Sequence, residues 1–80
     1  MCPHCSQVAL DQEHLGSLAM AFRGTRSEAD RRKVADEYAD TINRLIASGE
    51  WHEAPAMEDQ LPNEWMPRSF FEFWIPHVAH

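Results

Sequence analysis

The sequence predicts an all-α fold: a helical hairpin of two amphipathic helices with a Pro-broken, aromatic C-terminal segment packed across it. Three observations predict it. Leu15, Leu18, Ala19 and Phe22 recur at helical spacing, and so do Val34, Tyr38, Ile42 and Leu45; that period marks one buried face of a helix. Gly24 and Thr25 separate the two stretches, so the link is short and the helices must run antiparallel. Beyond Trp51, Pro55, Pro62, Pro67 and Pro76 break the chain into pieces too short for a long helix.

All 80 residues belong to one small domain. Residues 1–10 form a cysteine-containing N-terminal segment, for which two readings stay open. Either a helix begins near Ser6, or an extended piece runs to Leu10 and Asp11 caps the helix that follows. Helix one is placed at 11–23, and Gly24 ends it by accepting a left-handed C′ conformation. Helix two is placed at 26–48. Thr25 and Glu28 are spaced as a capping box, with Ser27 and Asp30 as an alternative start, and Gly49 closes the far end. Asp36, Glu37, Asp40 and Asn43 occupy its outward face. Residues 50–80 read as an irregular aromatic segment in which Ser69–Ile75 is a short helix or a brief strand.

A chain this short buries only about 60–65% of the surface it exposes when unfolded. Two helices therefore leave an apolar seam that needs a cover: the tail, a metal, or a second copy in a homodimer. Six of the eight aromatics fall in the last thirty residues, as Trp51, Trp65, Phe70, Phe71, Phe73 and Trp74. They read first as the lid of that seam. Read as a surface, Trp65, Phe70, Phe71 and Trp74 are candidate anchors for a partner protein.

The chain carries 7 Lys+Arg against 13 Asp+Glu, a net charge of −6. Such a balance disfavours nucleic acid and anionic membranes. Five bases cluster between Arg23 and Lys33, whereas nine acids face two arginines between Asp36 and Glu72. The acidic side suits a basic protein partner, with Glu58, Asp59 and Glu64 steering it. No apolar run approaches the roughly 18 residues that span a bilayer, and no secretory pattern is visible, so the expected location is cytoplasmic.

Cys2-Pro3-His4-Cys5 is the sharpest motif. Over those four residues it resembles the active-site dithiol of thioredoxin-like disulfide oxidoreductases, which implies redox chemistry. In that family the motif follows a strand, and here one residue precedes Cys2. Zinc is the stronger reading of the pair, because a C-x-x-C knuckle places two thiolates on one ion. His77 and His80 are the expected remaining ligands. His14 is the alternative, feasible only if helix one starts at Asp11. No nucleophile–base pair, phosphate loop or H-E-x-x-H set is present, so no enzymatic activity is expected. The expectation is a small acidic interaction module: an accessory subunit, adaptor or inhibitor.

Overall fold

A computed structural model describes residues 3–78 and the side chains of residues 6–74. Three helices and no strand occur among the described residues: α1 (Pro3–Gly24), α2 (Glu28–Ser48) and α3 (Arg68–Val78). Two 3-10 turns, Met57–Asp59 and Asn63–Trp65, lie between α2 and α3.

The antiparallel hairpin is visible in its cross-contacts. Asp11 meets Arg44, His14 meets Glu37, and Phe22 meets Arg31, so one helix rises as the other falls. Val8, Leu15, Leu18, Ala19 and Phe22 of α1 face Ala35, Tyr38, Ile42 and Leu45 of α2, and all of them are buried. The open side of that seam is filled by Trp51, Leu61, Met66 and Phe70. The tail is therefore the lid, as the thin two-helix core requires. The thinnest dimension of the molecule is 18 Å, close to two helix diameters.

Helix one starts eight residues earlier than the expected 11–23, so residues 3–10 of the expected N-terminal segment belong to it. Pro3 suits the first helical position, where its missing N–H would have no helical partner. Asp11 is accordingly no cap. It sits inside α1, 5% exposed, and its carboxylate accepts bonds from Gln7 Nε2 at 3.1 Å and Arg44 Nη2 at 3.3 Å. Those donors are what permit a buried carboxylate at that position.

The link also differs from expectation. Helix two starts at Glu28 rather than 26, and Ser27 is its N-cap residue with extended backbone and no side-chain cap bond. Thr25 turns backwards, its hydroxyl donating to the Ala21 carbonyl at 2.7 Å, so it closes α1 instead of capping α2. Gly24 remains helical, and the one left-handed glycine among the described residues is Gly49, with φ of 73°. There it ends α2 as expected, its N–H donating to Ile46 O.

The tail is more regular than an irregular segment. Its last part is an eleven-residue helix that continues past Pro76. The first 3-10 turn is fastened from both helices. The Arg23 guanidinium donates to the carbonyls of Met57, Glu58 and Gln60, and the Tyr38 hydroxyl donates to the Asp59 carbonyl at 3.0 Å. Gly16 permits the close approach: a Cβ there would stand 3.3 Å from Asp59 Oδ1. Burial raises the pKa of the Tyr38 hydroxyl, and the Asp59 charge adds to it.

Candidate partner-binding groove

Two aromatic clusters hold the tail to the hairpin. Near the end of α2, Trp51 stacks on Phe73 with centroids 6.0 Å apart and meets Trp74 edge-on at 5.1 Å. At the linked end, Trp65 meets the edge of Phe22 at 5.2 Å. Guanidinium groups join this second cluster. Arg31 lies 4.4 Å from the Phe22 ring, and Arg31 and Arg32 each lie 5.9 Å from the Trp65 ring.

Pro62 and Pro67 bracket the short turn that aims Trp65. The Trp65 N–H closes the turn onto the Pro62 carbonyl at 2.8 Å. Met66 then points into the core while Trp65 stays half-buried over the first turns of α2. Between this turn and α2 lies a cleft of about 460 Å³. Its apolar surface comes from Trp65, Pro67, Ala35 and Ala39, and its charged surface from Glu28, Asp36 and Glu64 with Arg32. The α2 members fall at steps of four, three, one and three, a single stripe beside the core-facing one.

The three carboxylates of this cleft form no salt bridge among the described residues. The ion pairs there are His14–Glu37, Arg44–Asp11 and Arg68–Glu72. The cleft therefore holds three unspent negative charges and one guanidinium beside a partly exposed indole.

Of the residues the sequence singles out, Trp65 and Glu64 come together here. The other aromatics do not join them. Phe70 is 7% exposed and belongs to the core; Phe71 is half-buried edge-on to Phe70; Trp74 is half-buried against Trp51. All three pack in the lid, apart from the cleft; Phe71 and Trp74 are half-buried, as Trp65 is, and each keeps an exposed part. Glu58 and Asp59 belong to the other 3-10 turn, on α1. Asp59 is half-buried beside Gly16. Glu28, Asp36, Ala35 and Ala39 were not anticipated as site residues. Their one signal was the stripe at helical spacing flanking the core face.

Cys2 and His80, with the side chains of Cys5 and His77, lie outside the described residues. Among the described residues no group of three His, Cys, Asp or Glu side chains is placed to hold a metal. His14 lies nine residues beyond Cys5 on the same helix, a rise of about 13 Å, and its Nε2 is 3.2 Å from Glu37 Oε1. The start at Asp11 that would have brought His14 near the knuckle is not the one α1 adopts. Among the described residues no helix is long and apolar enough to cross a membrane.

Comparison with known protein families, with curated proteins and with solved structures finds no match. The molecule is defined by its architecture as a lidded helical hairpin.

Proposed function

We propose that the protein is a small interaction module that docks a basic segment of a partner protein along the flank of α2, against Trp65. The observation that supports this reading is the cleft itself. An indole and two alanines offer apolar contact, and Glu28, Asp36 and Glu64 surround them with Arg32 as the single cation in the lining. Interfaces draw their energy from such aromatic anchors at a desolvated centre, with charge complementarity setting partner choice and association rate. The net charge of −6 favours the same class of partner at long range.

The test is site-specific photocrosslinking. A photoreactive residue at Ala39 should capture a protein through a segment rich in Lys and Arg. The same residue at Asn43, one helical turn on and outside the cleft, should capture it far less. Replacing Asp36 and Glu64 together by Lys should abolish capture while the circular dichroism spectrum and unfolding midpoint stay unchanged. Capture that survives the double charge reversal removes the proposal.

A further inference from the structure

We infer that the cleft is an arginine receptor: it takes a guanidinium from the partner onto Trp65 in preference to a lysine ammonium. This rests on the partner-docking reading above and specifies what occupies the site.

The molecule already performs this chemistry internally. Arg31 caps the Phe22 ring at 4.4 Å, and Arg32 reaches within 5.9 Å of Trp65 from the wall of the cleft. A planar guanidinium stacks on an indole face and still directs N–H groups outward in the ring plane. Here the neighbours that can receive those N–H groups are Glu64, adjacent to Trp65 in sequence, and Glu28 and Asp36 across the cleft. A carboxylate binds a guanidinium through two parallel hydrogen bonds, a geometry that an ammonium lacks. The charge count fits one incoming cation well. Three carboxylates against Arg32 leave the cleft at −2, and none of the three is in an ion pair among the described residues.

Arg32 acts in this arrangement as a competitor. It is the one cation lining the cleft, and it approaches the ring that the partner would use. Its removal leaves Arg31, also 5.9 Å from the Trp65 ring, as the remaining guanidinium beside the indole, and lowers the local charge by one more unit. Arg32→Gln is therefore expected to tighten binding, whereas neutralising a carboxylate weakens it.

The experiment uses the full chain labelled with nitrogen-15, with the three tryptophan indole N–H signals as reporters. The probes are two blocked pentapeptides, Gly-Arg-Gly-Arg-Gly and its lysine counterpart. The arginine peptide should shift the Trp65 signal and leave those of Trp51 and Trp74 in place. Its half-saturating concentration should be at least fivefold lower than that of the lysine peptide. Glu64→Gln and Asp36→Asn should each raise it severalfold, Arg32→Gln should lower it, and Glu13→Gln, exposed on α1 and outside the cleft lining, should leave it unchanged. Equal response to both peptides means charge attraction alone and overturns the inference. So does a shift confined to other signals. If either result is found while the Ala39 crosslink to a basic segment persists, the docking proposal stands without its arginine specificity; loss of both removes both.

Discussion

The two aromatic clusters are built from the same kinds of residue and do different work. Around Trp51 the contacts are ring on ring: Phe73 stacked within 6° of parallel, Trp74 and Phe73 edge-to-face at 4.8 Å, and Trp51 itself 3% exposed. Around Phe22 a ring meets a ring and then a cation, and Trp65 is left half-buried at the edge of a cleft. Rings that pack on one another around a buried indole are spent on the fold. A ring that still faces charge and water retains a surface on which another molecule can act.

On that division, the largest stability loss comes from the cluster around Trp51. Trp51→Ala removes a buried indole that touches two other rings, and large-to-small changes of this kind cost about 3–5 kcal/mol. For an 80-residue domain, at roughly 0.05–0.15 kcal/mol per residue, that is a large share of the total stability. Trp65→Ala should cost about half as much, because its ring is already partly hydrated. Urea unfolding of both variants makes the comparison. Equal losses would show that the two ends are equally structural and would leave the cleft with no special standing.

The next effect appears at alkaline pH, at the residue that ties the hairpin to its lid. Tyr38 is the chain's single tyrosine, fully buried, and its pKa lies above the ordinary value of 10.0 because burial, then the Asp59 charge, disfavours the phenolate. With the folded pKa raised, the unfolded chain releases this proton first. Stability from this group is thus complete below about pH 10 and falls as pH rises beyond it. Absorbance of the phenolate should appear only as the protein unfolds. Tyr38→Phe should flatten the decline in unfolding midpoint between about pH 10 and 12; an unaltered slope would place the alkaline sensitivity elsewhere.

How much of this was open to reading from residue order varies with the range of the interaction. The face of α2, the left-handed Gly49 and the need for a lid follow from local spacing, because helical periodicity and glycine conformation are local. The start of α1 was hidden because Asp11 looks like a cap; its burial depends on Arg44, 33 residues later. Arg23 and Arg31 stand in sequence only as members of the basic cluster between Arg23 and Lys33, for the same reason. Their guanidinium groups are committed to carbonyls of the first 3-10 turn and to the Phe22 ring, partners that no periodicity reveals. The cleft was half legible. Trp65 and Glu64 stood out in sequence, but the stripe that completes the wall looked like an ordinary outward helix face.

Arg31→Met tests the charged cluster without emptying it. The methionine retains much of the aliphatic stem, so the change isolates the cation over Phe22, a contact worth about 1 kcal/mol when partly desolvated. Part of that loss is offset, since Arg31 Nε is buried with no hydrogen-bond partner among the described residues. The expected net cost is therefore below about 1 kcal/mol. A loss several times larger would mean that the guanidinium, rather than ring contact, holds the linked end together.

The smallest effect expected is at the other cluster, for Trp74→Phe. The Trp74 Nε1–H is buried and finds no acceptor among the described residues, whereas its ring contacts Trp51 and Phe73 edge-on. Phenylalanine keeps an aromatic edge there and deletes the unpaired donor. Loss of ring area and relief of an unsatisfied N–H oppose each other, each worth about 1–2 kcal/mol, so the unfolding midpoint should scarcely move. The corresponding change at Trp65 should also leave stability nearly intact but weaken binding of the arginine peptide, because the broader indole is the better platform for a cation. Two near-silent substitutions in thermal unfolding, of which only the one at Trp65 registers in the titration, would separate a lid from a site. If Trp74→Phe weakened peptide binding as much as Trp65→Phe, the two ends would be coupled and the division between them would fail.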